Sequence, residues 1–200
     1  DSEALRRRLL DWGVAADRVV TIRNGIDRDE FSPQEQRAAR TELGIEPAAR
    51  LLLSVGKLDT NKGHHLVIES LLQLPDTQLC IAGDGPARAD LLAQVERLRL
   101  GDRVRLLGAG PHAKLAKYYG AANALVLAAE REGLPNVVLE SLACGTPVVA
   151  TRVGGIPEVM LRAEQGELLS ERSADAIAAA VRAVRARNPP REEVAASVQD

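Results

Sequence analysis

From residue 51 onward the chain alternates two hydrophobic patterns. Short runs with almost no polar interruption, "LLLSVG" (51–56), "QLCIAG" (78–83), "RVRLLG" (103–108), "ALVLAA" (124–129), "TPVVAT" (146–151) and a weaker "GELL" (166–169), are separated by longer amphipathic stretches at 63–74, 86–99, 111–121 and 135–144. The runs have strand length, and each amphipathic stretch is long enough for a crossover helix. A strand that is apolar along its whole length must be covered on both faces, which is the condition of a strand inside a parallel sheet. The pattern therefore predicts an α/β domain with a doubly wound parallel sheet and helices on both faces.

The flanks read differently. "SEALRRRLLDWG" (2–13) has helical spacing, and "RVVTIRNGIDRDEFSP" reads as a strand entering an Asn-Gly turn and a loop closed by proline, so residues 1–33 form an entry segment of interdomain type. Residues 34–188 make the sheet domain, with Ser173 capping a last helix, "ADAIAAAVRAVRAR", that "NPP" (188–190) stops. Residues 189–200 are a weakly helical tail with the character of a cut end. A start at Asp1, already inside a helical pattern, reads as a fragment.

Composition narrows the classes of partner. Of the 200 residues, 46% are hydrophobic and 27% charged, with a net charge of −2, so no bulk excess of one sign points to nucleic acid or lipid. One Phe, one Trp and two Tyr are too few for a base-stacking platform. No apolar run reaches membrane-spanning length and no signal-peptide pattern opens the chain, a cytoplasmic profile. Cys80 and Cys144 lie far apart in apolar settings and read as buried thiols.

Ligands of such sheets bind outside the carboxyl ends of the strands, where the strand order reverses. The first strand ends at Gly56, with Lys57 directly after it and Lys62-Gly63 opening the next helix. Two ammonium groups beside outward-pointing N–H groups are a way to hold a diphosphate. The spacing is neither a Walker loop nor G-x-G-x-x-G, and two solvated surface lysines are the bland alternative. The second constellation is "EREGLPNVVLESLACGTPVVAT" (130–151). Gly133 permits close backbone approach and Pro135 suits the first helical position, leaving Glu132 outside the helix and Glu140 within it. Eight helical residues span about 12 Å, wider than the roughly 5–10 Å of hydrolytic carboxylate pairs. That separation suits the two ends of a sugar nucleotide, hexose at Glu132 and ribose at Glu140, with the diphosphate over the helix start. Exposed structural glutamates are the alternative.

Taken in order, "RNGIDRDEFSP", "SVGKLDTNKG", "IAGDGP", "RVRLLG" and "EREGLPNVVLESLACGTPVVATRVGGIPEV" resemble the donor-binding C-terminal domain of retaining group 1 glycosyltransferases of GT-B fold, the group that includes sucrose synthase and mannosyltransferases. The resemblance covers roughly residues 5–185. It implies a Rossmann-like domain, the second half of a two-domain enzyme, that grips a UDP-, GDP- or ADP-sugar while a hexosyl group passes to a glycan, lipid or small molecule, with no metal cofactor. It implies Lys57 and Lys62 at the diphosphate and Glu132 at the sugar, these three carrying the chemistry. Gly56 and the backbone of Gly133, Leu134, Pro135, Asn136 and Val137 would line the donor, Glu140 the ribose, and the turn after the third run, with Arg105 and Leu106, the base. The acceptor side would belong to an N-terminal domain, through which peripheral association with the inner membrane face is conceivable, and this chain alone would bind donor and transfer nothing.

Two positions depart from the family pattern. Lys57 stands where arginine is more common, exchanging a planar fork for a point charge, and Arg23 precedes Asn24-Gly25 where proline is common. "DRD" (27–29) has the outline of a metal-binding D-x-D but reads as a turn remote from the lysines. "GDGP" (83–86) and "GG" (154–155) are turns near the cleft, and His64, His65 and His112 are surface or packing residues. A sugar-nucleotide epimerase, a dehydrogenase-type nucleotide module and a non-catalytic nucleotide-sugar sensor remain open on the residues themselves.

Overall fold

The computed structural model describes residues 2–110 and 112–198; Asp1, Pro111, the side chains of His112 and Ala113, and residues 199–200 lie outside the description. After helices α1 (Glu3–Asp11) and α2 (Gln36–Leu43), the elements alternate: β1 (Arg50–Val55), α3 (His64–Ser70), β2 (Thr77–Ala82), α4 (Arg88–Arg97), β3 (Val104–Gly108), α5 (His112–Ala121), β4 (Ala124–Leu127), α6 (Asn136–Ala143), β5 (Val148–Thr151), α7 (Ile156–Val159), β6 (Gly166–Leu169), α8 (Ala174–Arg187) and α9 (Arg191–Ala196). Each predicted run becomes a strand. All pairings are parallel, in the order β3-β2-β1-β4-β5-β6.

Alternate residues of each strand feed separate cores, as the two-residue period of a strand requires. Leu51, Leu53 and Val55 of β1, with Leu125 and Leu127 of β4, pack toward Phe31, Tyr119 and Val138. Leu52 and Val126 face Val67, Ile68, Leu91 and Val181 on the other side. The middle strands are thus buried on both faces, the continuous apolar runs having no polar side to offer water.

Two expectations are corrected. Residues 19–27 are not a strand: Val19 has extended angles (φ −130°, ψ 119°), but no neighbouring strand pairs with the segment among the described residues, and Val20 and Ile22 are exposed. Strand propensity without a partner leaves extended chain. Residues 189–198, read as a weakly helical tail outside the sheet domain, do form a helix, α9, but it packs onto the domain: Val194 is fully buried, and the Arg191 guanidinium donates to the carbonyls of Tyr119, Ala122 and Cys144 and to Thr146 Oγ1.

The sheet order reverses between β1 and β4, so the loops leaving these two strands emerge side by side at their carboxyl ends. Gly63 closes the first loop with φ +71°, and a Cβ there would sit 2.1 Å from the Ala128 carbonyl oxygen at the end of β4. No side chain fits between these loops. Gly63→Ala is expected to lower stability by on the order of 2–3 kcal/mol through the left-handed backbone and the clash, whereas Gly101→Ala, with open space around its Cβ, should stay within about 0.5 kcal/mol; urea denaturation of the two variants measures the contrast.

Candidate functional site

The site is built where the β1 and β4 loops meet. Asn61 stitches them: its carbonyl accepts the Glu130 N–H at 2.8 Å, its side-chain amide donates to the Arg131 carbonyl at 3.1 Å, and its Oδ1 accepts the Arg131 N–H at 3.1 Å. Arg172 adds bonds to the carbonyls of Ala128 and Thr60. Asp59 caps the short turn that follows, accepting the Lys62 N–H at 3.2 Å. The outcome is an ion pair between residues 70 positions apart: Lys62 Nζ lies 2.5 Å from Glu132 Oε1, with side chains 22% and 9% exposed. The Lys62 stem lies over Gly56, 3.5 Å from where a Cβ would be, and Lys57 follows on the exposed outside of the loop. Lys57, Lys62 and Glu132 therefore belong to one surface, on the same end of the sheet.

The helix following Glu132 starts one residue later than expected. Pro135 is its N-cap (φ −75°, ψ 122°), Asn136 its first residue, and no side chain caps the start. Its first N–H groups are thus left for a ligand or solvent. Leu134 and Pro135 are buried and Asn136 is exposed, while Val137 is half-buried and packs against the core. The entry segment reaches this point: Asn24 donates to Asn136 Oδ1 at 2.7 Å and to the Leu134 carbonyl at 3.3 Å. Gly154 (φ +55°) lies so close to the loop that a Cβ would be 2.0 Å from the Glu132 carbonyl oxygen, and the Gly155 N–H donates to the Gly133 carbonyl at 2.6 Å. The "GG" turn is thus the backing of the Glu132 loop.

Glu140 lies further along the same helix. It is buried in α6, and its Oε2 accepts the Tyr119 hydroxyl at 2.8 Å. Burial and the neighbouring carboxylate push the Tyr119 pKa well above its ordinary value, so the phenol remains a donor.

A cavity of about 420 Å³ opens beside Gly56 at the ends of β1, β2 and β3, lined by Val55, Gly83, Leu107, Gly108, Lys114 and Tyr118 among others. Arg105 and Leu106, expected at the base, are not in its wall: Arg105 is exposed, and Leu106 packs into the opposite core. The register between β2 and β3 shifts at Ile81/Ala82, so Ile81 pairs with Leu106 and Ala82 with Gly108. The extra residue, Leu107, is turned into the cavity, as a bulge does. A larger cavity of about 640 Å³ lies at the opposite end of the sheet. Its arginines are taken up internally, Arg185 by Thr77 and Asp76, Arg50 by Asp76 and Arg191 by carbonyls.

His64 is a core residue rather than a surface one. Its Nδ1 is 2.9 Å from Ser54 Oγ and its Nε2 3.3 Å from the Lys57 carbonyl. Burial pushes its pKa down to about 4, against smaller upward pulls from the Lys57 carbonyl and Asp59. The His112 side chain lies outside the described residues. Cys80 and Cys144 are free, their thiols raised by burial to about 11 and about 12. "DRD" is a turn in which Asp27 Oδ1 accepts the N–H groups of Asp29 and Glu30. Among the described residues no cluster of His, Cys, Asp and Glu has a metal-holding arrangement, and no helix is long and apolar enough to cross a membrane.

A parallel sheet in the order 3-2-1-4-5-6 is a doubly wound α/β domain, with lysines and an uncapped helix start at its switch point. The chain belongs to the glycosyl transferases group 1 family, whose model matches residues 35–198. It is 32% identical over 160 residues to the D-inositol 3-phosphate glycosyltransferase of Segniliparus rotundus, covering 76% of this chain and 36% of that protein. The chain spans little more than a third of the length of such curated relatives. Sucrose-phosphate synthase from Thermosynechococcus elongatus matches with a TM-score of 0.86 at 31% identity, over 99% of this chain and 53% of that one. HepE from Anabaena, solved in complex with UDP and glucose, matches with a TM-score of 0.86 at 22% identity, over 100% of this chain and 58% of its own. The fold is the Rossmann-like fold found in GT-B glycosyltransferases.

The buried imidazole sets a pH dependence. Below about pH 6.5 the unfolded chain protonates His64 while the folded chain holds it neutral down to about pH 4, so stability falls as pH falls through that window. Between pH 7 and 4.5 wild type should lose roughly 2–3 kcal/mol more than His64→Gln, which lacks the titrating ring; denaturant midpoints at the two pH values check this, the carboxylates contributing equally to both proteins.

Proposed function

We propose that this chain is the donor-binding half of a retaining glycosyltransferase, taking a nucleoside diphosphate hexose and passing the hexosyl group to an acceptor bound by an N-terminal domain. The observation that carries the reading is the Lys62–Glu132 pair at the switch point: a cation for a diphosphate and an acid for sugar hydroxyls, held in contact by two stitched loops. The cavity beside Gly56 receives the base against Leu107 and Gly108. The diphosphate lies across Lys57, Lys62 and the α6 start, and the hexose reaches Glu132. Glu140, oriented by Tyr119, serves the ribose end. UDP is the first nucleotide to test, since HepE was solved with it.

As the anomeric C–O bond weakens, negative charge collects on the leaving diphosphate. Lys57, Lys62 and the N–H groups of Asn136 and Val137 stabilise that charge in a fixed arrangement, and these cations supply the neutralisation a metal ion gives elsewhere. Before donor binds, Lys62 is committed to Glu132. The diphosphate must take Lys62 over, and the carboxylate so released is free to accept hydroxyl protons from the hexose.

Two titrations by calorimetry, using UDP, GDP, ADP and their hexose esters, test this. Lys62→Ala should lose on the order of 2–5 kcal/mol of nucleoside diphosphate binding, more than tenfold in affinity; unchanged affinity removes the lysine from the site. Glu132→Gln should act in the opposite sense on the free diphosphate, tightening it by about 1 kcal/mol, near fivefold, because Lys62 no longer has a competing partner. The same variant should lose wild type's preference for the sugar ester over the bare diphosphate.

A further inference from the structure

We propose that His64 is a positioning residue for the diphosphate site, anchoring the Lys57 carbonyl to the core and so holding the 56–63 loop with both lysines on the ligand side; this rests on the donor reading above. The imidazole is wholly buried in the first turn of α3, yet its polar contacts run to β1 and the loop that leaves it. A carbonyl only accepts, so Nε2 carries the ring proton and donates to Lys57 O. Nδ1 is then the acceptor for the Ser54 hydroxyl, whose proton is shared with the Val126 carbonyl, also at 2.9 Å. The ring is a strut from the middle of β1, beside the switch point, to the first peptide of the loop.

The same carbonyl accepts the Asp59 N–H at 2.9 Å, and Asp59 in turn caps the turn that presents Lys62. The His64 bond therefore acts on both lysines, through one peptide for Lys57 and through the Asp59 cap for Lys62. An apolar side chain would fill this space without the cost of burying an imidazole. What the ring adds over it is the pair of bonds. The charges nearest the strut are Asp59 and Lys62, both parts of the loop it holds.

The test titrates UDP, GDP and ADP, and the nucleoside of whichever binds, into wild type, His64→Leu, His64→Gln and Ser54→Ala, with thermal unfolding of each. His64→Leu should weaken the nucleoside diphosphate about tenfold and leave the nucleoside within about twofold, because the strut acts on the part of the loop that carries the lysines, while Gly56 at the base cavity is held by its own bond to the Ala82 carbonyl. His64→Gln, whose amide N–H matches the reach of Nε2, should recover most of the loss, a rescue that mere packing would not give. Ser54→Ala, which removes the far end of the strut, should fall between. Equal losses of diphosphate and nucleoside in His64→Leu overturn the proposal, as does no recovery in His64→Gln. If His64→Leu does not fold, wild-type diphosphate affinity in Ser54→Ala overturns it. Wild type binding none of the three diphosphates overturns the donor reading instead, which the His64 variants cannot do.

Discussion

The site exists because the strand order reverses between β1 and β4. In a sheet whose neighbours follow one another in sequence, each loop packs beside the next and is covered by the intervening helix. Here β1 has β2 on one side and β4 on the other, so the connections from β1 and β4 leave toward opposite faces and open a crevice between their first residues. The candidate site sits on the lips of that crevice: Gly56, Lys57 and Lys62 on one, Glu132 and the start of α6 on the other. The bonds of Asn61 and Arg172 fix the separation of the lips, and the absence of a side chain at Gly63 lets them close to contact.

That closeness has an electrostatic consequence. A lysine and a glutamate brought together with little access to water neutralise each other, so Lys62 does not display a bare positive charge before ligand arrives, and the exposed Lys57 is the cation the crevice shows. An anion gains Lys62 only by displacing a carboxylate, which reduces the net gain from phosphate alone. A ligand that brings hydroxyl donors for the displaced acid recovers the difference. On the donor reading proposed above, the arrangement would favour a phosphate attached to a polyol over either part by itself, and would do so with two side chains.

Much of this was legible in the sequence, for physical reasons that also explain what was not. Apolar runs with no polar side mark interior strands, which β2, β1, β4 and β5 are, and the two weaker runs, with Arg105 in one and Glu167 in the other, formed the edges β3 and β6. That Lys57, Lys62 and Glu132 lie at one end of the sheet was legible because each sits in a loop leaving the carboxyl end of a strand, and a parallel sheet places those loops together. The run at 19–22 misled because β-branched residues report a preference that only a partner strand can satisfy. Arg105 and Leu106 were placed at the base by the family resemblance, but the cavity beside Gly56 is lined by Leu107, which alternation along β3 puts on the face opposite Leu106. Asn61 was missed because its value lies in a contact 70 residues away, which no local pattern records.

The buried polar groups divide along the same lines. Interior positions of a doubly wound sheet are apolar by default, and two exceptions stand below the crevice, one on each face: Ser54 and His64 on the α3 side, Tyr119 and Glu140 on the α5–α6 side. Each pairs a group on one element with a group on another, and each bond is satisfied, as burial demands. Apolar side chains would fill both places at lower desolvation cost. What they would not supply is direction, since dispersion contacts tolerate rotation and a hydrogen bond between two fixed partners does not. A crevice that must present a peptide and a carboxylate at defined angles therefore needs polar struts beneath it, and the core gives up some hydrophobic burial at those two points, as it does at Thr151, whose hydroxyl donates to the Ala129 carbonyl at the start of the β4 loop.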